Sequence, residues 1–138
     1  MEIPELHREK IKGNPMCFGC GKSNPHSLKM SFFKDGETGK AEFLPNEYHQ
    51  SWPGYVHGGA LMAALDEGIG WSLFSQGIYA VTANIEIRLK SMARLGEPLI
   101  VSSKIIRKTS RTVEVEARLN RQDDSVVAEA KALLYIVK

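Results

Sequence analysis

The sequence predicts an α+β fold, an antiparallel sheet of about six strands wrapped around one long central helix. Three observations carry that prediction. One segment of the 138-residue chain, from about residue 57 to 75, is apolar on nearly every side and long enough to be a core helix. Four runs after it alternate apolar and polar residues, as half-buried antiparallel strands do. Two shorter strand-like runs precede it, joined by a turn. The length suits one domain with one core over residues 1–138.

Taken in order, residues 1–15 are mostly polar and charged and read as an N-terminal arm. Residues 16–27 hold Met16-Cys17-Phe18-Gly19-Cys20-Gly21 and then Ser23-Asn24-Pro25, a glycine-punctuated loop. Leu28 to Phe33 reads as a strand, Asp35-Gly36 as a turn and Lys40 to Leu44 as a second strand. Pro45 to Val56 is a loop. The helix then runs from about His57 to Ser75, roughly 27 Å at 1.5 Å per residue. Its glycines each cost about 1 kcal/mol against alanine, so packing must hold it together.

Beyond the helix, Val81 to Lys90 sets Ile85, Ile87 and Leu89 on one side against Asn84, Glu86, Arg88 and Lys90. Leu99 to Ile106, Thr112 to Leu119 and Ala128 to Val137 complete the sheet. The links at Gly96-Glu97-Pro98, Lys108-Thr109-Ser110 and Gln122 to Ser125 are short, as hairpins require. A sheet covers such a helix on one side only. The other side needs a second surface, which predicts a homo-oligomer, a dimer at minimum.

A formal charge of +2 gives no case for a nucleic-acid or membrane partner. The charge is uneven, however: Glu86 to Arg111 holds seven basic residues against two acidic ones. Such a region suits a small polyanionic ligand, and equally the solvated face of a sheet. No run reaches the roughly 18 apolar residues of a membrane span, and no signal peptide opens the chain, so a cytoplasmic location is expected.

Asp66 and Glu67 sit adjacent in the middle of the apolar helix, where a charge is costly unless paired or used. Neighbours on a helix point about 100° apart, so only one can face a given cleft. On a helical wheel Asp66 shares its face with Gly59, Met62, Ala63, Gly70 and Leu73; Glu67 shares its face with Ala60, Trp71 and Phe74. Residue type alone leaves the choice open. The His57-Gly58-Gly59 start offers unpaired backbone N–H groups and the positive end of the helix dipole, suited to developing negative charge. Gly58 and Asp66 lie about 12 Å apart along the axis, so one reacting carbon cannot meet both in one chain.

These residues carry a family likeness. The pattern resembles the hotdog fold. His57-Gly58-Gly59 followed nine residues on by Asp66 resembles the acyl-CoA thioesterases of the phenylacetate-pathway (PaaI) type and their mammalian thioesterase-superfamily relatives. The Cys-Phe-Gly-Cys-Gly opening and the stretch from Val81-Thr82 to Arg94-Leu95-Gly96-Glu97 extend the resemblance over roughly residues 16 to 138. It implies acyl-CoA as substrate, a site at a dimer interface, and dimers that often pair into tetramers.

On this resemblance Asp66 is the catalytic carboxylate, a general base on water or a nucleophile forming an anhydride. The Gly58 N–H is the oxyanion donor and Glu67 a supporting acid. Thr82 matches a position whose hydroxyl holds the attacking water, and its other reading is an ordinary strand threonine. His57 either hydrogen-bonds within the site or caps the helix. Ser51 stands where some relatives have an asparagine, and Gln50 beside it could substitute. Gly59 and Met62 join the substrate-binding set. Arg88, Lys90, Arg94, Lys108 and Arg111 are candidates for the phosphates of coenzyme A. Trp52, Tyr55, Met62, Leu73 and Phe74 are candidates for the acyl pocket.

No cofactor is expected. Cys17-x-x-Cys20 lacks the further ligands of a structural zinc and the context of a thioredoxin motif, so it reads as a turn with two half-buried thiols and no metal. Two alternatives compete with the thioesterase. A hotdog (R)-specific dehydratase or hydratase would need a histidine paired with a carboxylate. A non-catalytic acyl-CoA-binding module would bind without turnover.

Overall fold

The computed structural model describes residues 13–36 and 38–137. Most of the expected N-terminal arm, residues 1–12, lies outside them. Six strands form one antiparallel sheet: β1 Ser31–Asp35, β2 Thr38–Phe43, β3 Ala80–Leu89, β4 Leu99–Lys108, β5 Thr112–Arg121 and β6 Val126–Ile136. The helix, α1, spans Gly58–Ser75. A short 3-10 turn, Glu47–His49, lies in the loop before it. The first strand sits later than expected because 13–30 form the hydrogen-bonded cysteine loop, with Leu28 N–H donating to Phe18 O (2.8 Å) and Met30 N–H to Gly19 O (3.1 Å).

The strand order is β1-β2-β4-β5-β6-β3. The β4–β5 and β5–β6 links are tight hairpins as expected. The Gly96–Pro98 link is not, because β3 pairs with β6 at the far edge. The chain leaves β3 and passes the loop ahead of α1. There Val56 N–H donates to Ala93 O (2.9 Å) and Leu95 N–H to Gly54 O (3.1 Å), and only then does the chain enter β4. One edge of the sheet is therefore the ten-residue β3.

The hydropathy of α1 hardly distinguishes its sides; its packing does. Leu61, Ala64, Leu65, Gly68, Ile69, Ser72 and Leu73 are buried, a stripe at helical spacing that lies against β2, β4, β3 and β5. The core it joins includes Phe43, Leu99, Val101, Val113, Leu119 and Leu134. On the other side Gly59, Met62 and Asp66 are exposed. The sheet covers one side of the helix, as the one-layer pattern requires.

Candidate functional site

The open side of α1 holds the candidate site. Asp66 is exposed there, and the Thr82 hydroxyl donates to its Oδ1 at 2.6 Å. That contact depends on an irregularity. Ile85 and Ile87 face inward and Asn84, Glu86 and Arg88 outward, so simple alternation turns Thr82 outward with the even-numbered residues. The register of β3 on β6 shifts between Thr82 and Asn84. Thr82 pairs with the buried Leu134 and Ile85 with the buried Ala132, so Ala83 is the extra residue and Thr82 faces the helix.

Asp66 and Glu67 part company. Glu67 is half-buried, and its carboxylate receives the Cys17 thiol at 3.5 Å. Although adjacent in sequence, the two differ in setting: Asp66 is exposed and Glu67 meets the cysteine loop.

At the start of the helix, the His57 Nδ1 accepts from the Gly59 N–H at 2.8 Å. This is an N-cap, and it places the ring proton of a neutral His57 on Nε2. Ala60 and Leu61 N–H both donate to the His57 carbonyl. Gly59 therefore has no backbone proton left to offer, while the Gly58 N–H makes no hydrogen bond among the described residues. Leu89 packs against Gly58, its Cδ1 about 3.1 Å from where a Cβ would stand, so the helix starts beside the end of β3 and Asp66 lies beside its beginning.

The structure redistributes the other candidates. Gln50 spends its side chain on the loop: its Nε2 donates to Glu47 O (2.9 Å) and its Oε1 accepts from Gly54 N–H (3.1 Å). Ser51 and Met62 are exposed. Leu73 belongs to the buried core, so it does not line a pocket on the open face. Trp52 is exposed, and Phe74 stacks within an aromatic row with Phe32 and Trp71. Tyr55 receives the Arg94 guanidinium over its ring at 5.7 Å.

The five basic candidates do not converge in one chain. Arg88, Lys90 and Arg94 lie at the Leu89 end of the sheet. Lys108 and Arg111 flank the β4–β5 turn at the other end, on the order of 20 Å away at strand spacing. Acids from β5 and β6 also offset the basic segment across the outer face. Arg88 and Arg118 flank Glu129, and Glu86 and Glu116 flank Lys131. Lys90 meets Glu129 at 3.5 Å. A concavity of about 660 Å³ lies on this outer face, and none of its lining residues belongs to α1. Sequence spacing saw the positive run but not the cross-strand acids that answer it.

His49 is half-buried against Phe43, its Nδ1 accepting from Asn46 N–H at 3.0 Å. Burial holds its pKa below the usual 6.5. Burial and the Glu67 carboxylate push the Cys20 thiol well above its usual range.

A curled antiparallel sheet around one helix, with a carboxylate on the helix's open side, defines a hotdog-fold protein. The Thioesterase superfamily profile matches residues 53–128, and the chain belongs to that family. It is 31% identical over 87 residues to acyl-coenzyme A thioesterase THEM4 of Rattus norvegicus, a match covering 63% of this chain and 37% of that protein. The chain thus spans about two fifths of the length of the curated relatives it matches. Its fold matches the PaaI protein of E. coli with a TM-score of 0.74 at 17% identity, over 80% of this chain and 81% of that one. It also matches a hypothetical thioesterase of Streptococcus pneumoniae TIGR4 crystallised with coenzyme A (TM-score 0.71, 18% identity, 78% and 84% covered). No helix among the described residues is long and apolar enough to cross a membrane.

Proposed function

We propose that this protein hydrolyses the thioester of an acyl-CoA to the free acid and coenzyme A, with Asp66 as its carboxylate. The observation that carries this is the exposed Asp66, held by the Thr82 hydroxyl at 2.6 Å on the uncovered face of the helix. Curated relatives named acyl-coenzyme A thioesterase support the substrate class. The S. pneumoniae protein has been crystallised with an aspartate, and separately a threonine sixteen residues later, replaced by alanine. Asp66 and Thr82 have the same separation.

The chemistry follows from the geometry. With Oδ1 engaged by Thr82, Oδ2 of Asp66 is left to take the proton of an attacking water, and the Thr82 oxygen still has lone pairs to accept from that water. Water adds to the thioester carbon, the carbonyl oxygen becomes an oxyanion, and collapse expels the thiolate, which regains a proton from Asp66. The anhydride route, in which Asp66 itself attacks, uses the same placement.

The oxyanion donor is the unspent Gly58 N–H, and it must come from a second copy. The β3 edge supplies the means, since an antiparallel pairing of two β3 strands sets the Leu89 end of one copy beside the Thr82 end of the other. Gly58 of one subunit then meets Asp66 of its partner, with Arg88, Lys90 and Arg94 nearby for the phosphates. We take the dimer as the working unit and tetramers as pairs of dimers. The free Cys17 and Cys20 thiols favour a reducing, cytoplasmic setting. A dehydratase would need a histidine beside a carboxylate; here the Nδ1 atoms of His49 and His57 instead accept from the Asn46 and Gly59 N–H groups.

A panel of short, medium, long and aryl-acetyl CoA esters, followed with a thiol reagent, tests the proposal. Wild-type turnover is expected, and Asp66→Asn should lower kcat by about 10²–10⁴. Binding of acyl-CoA without turnover by the wild type would overturn it in favour of a binding module.

A further inference from the structure

The cysteine loop converges on Glu67. The Cys17 and Cys20 thiols and the Glu67 carboxylate lie within 4.8 Å of one another, all half-buried, with Cys17 Sγ and Glu67 Oε1 at 3.5 Å. Glu67 has no ion pair among the described residues; what faces its carboxylate is thiol, a weak donor. The loop is shaped around this point. A Cβ on Gly19 would fall 2.3 Å from the Glu67 Cδ, so any larger residue would push the carboxylate from its place under the loop. At Gly21 a Cβ would stand 2.5 Å from Cys17 N and O. Backbone bonds hold the turn, Cys17 N–H to Asn14 O (3.1 Å) and Gly21 N–H to Cys17 O (2.8 Å).

We propose that Cys17, Cys20 and Glu67 bind one divalent, zinc-class ion that ties the loop to the middle of α1. The donor set is two soft sulfurs at Cys-x-x-Cys spacing and one carboxylate oxygen, which suits a tetrahedral zinc with water as fourth ligand. Zinc bonds of about 2.3 Å to sulfur and about 2.1 Å to oxygen set tetrahedral edges of about 3.6–3.8 Å. The observed 3.5 Å sulfur–oxygen separation already matches such an edge. The remaining separations, at most 4.8 Å, need a contraction on the order of 1 Å. On binding, each thiol gives its proton to solvent and becomes a thiolate, so uptake is pH-dependent. The pair alone falls short of a metal site; Glu67, fifty residues away in sequence, supplies what the spacing lacks. This site stands apart from the thioester chemistry and does not rest on it.

The test uses the full chain, purified with reductant, stripped with chelator and reloaded with zinc or cobalt(II). About one ion per chain and a cobalt spectrum with thiolate charge-transfer and tetrahedral bands are expected. Cys17→Ser and Cys20→Ser should each abolish the charge-transfer signature of the pair, and Glu67→Gln should weaken binding by about 10–100-fold or more. If a serine variant misfolds, alkylation of the wild type decides: zinc should shield both thiols and chelator expose them. No retained ion, thiols equally reactive with and without zinc, or unchanged stoichiometry in the double-serine variant would each overturn the site.

Discussion

The two sides of α1 are alike in hydropathy and opposite in use. One side buries Leu61, Ala64, Leu65, Ile69 and Leu73 in the sheet core, and the other presents Gly59, Met62 and Asp66 to solvent. The contrast is sharpest at two glycines. A Cβ on Gly68 would fall 2.4 Å from Val101 Cγ1, whereas one on Gly70 would meet nothing within 4 Å. The covered side is closed packing with no room for chemistry. The uncovered side is apolar surface around a carboxylate, with space left beside Gly70.

The largest effect that separates the sides belongs to Asp66→Asn. It should remove about 10²–10⁴ of turnover while leaving the thermal midpoint almost unmoved, because no buried contact is lost. A large fall in Tm would instead make Asp66 part of the fold. Next comes Gly68→Ala, where overpacking against Val101 costs on the order of 1–3 kcal/mol, offset by about 1 kcal/mol of helix propensity. Denaturant titration should show net destabilisation. Gly70→Ala should do the reverse and gain up to about 1 kcal/mol. A loss, with dissociation seen by sedimentation, would mean that a second copy seals this side as tightly as the sheet seals the other.

The smallest effect is in pH. Burial lowers the folded pKa of His49 below 6.5, so the unfolded chain binds the extra proton first. The stability this group contributes is fully present above 6.5 and declines as pH falls through it. In His49→Gln the difference in Tm between about pH 7.5 and about pH 5.5 should shrink.

Much of this was legible in the sequence. The helix starts within a residue of its expected start and ends at its expected end, and the four later strands lie where alternation puts them. What escaped was long-range. Alternation describes a strand's faces but not its neighbour, so the pairing of β3 with β6 was invisible. The basic run was visible, yet Glu116 and Glu129, which offset it, come from other strands. The partner of Glu67 lies fifty residues away, in a loop whose close approach is written only in Gly19 and Gly21.

Ala83 has a consequence of a different kind. Strand β3 is read in two frames, one before this residue and one after it, and the Thr82 hydroxyl meets Asp66 only because the frame changes between them. Drawing Ala83 into the ladder as an ordinary paired residue would alter no side chain of the site and leave the pairing from Asn84 to Leu89 intact. It would still turn Thr82 to the wet face and strip Asp66 of its hydroxyl partner. In this strand the register, as much as the letters, decides what Asp66 meets.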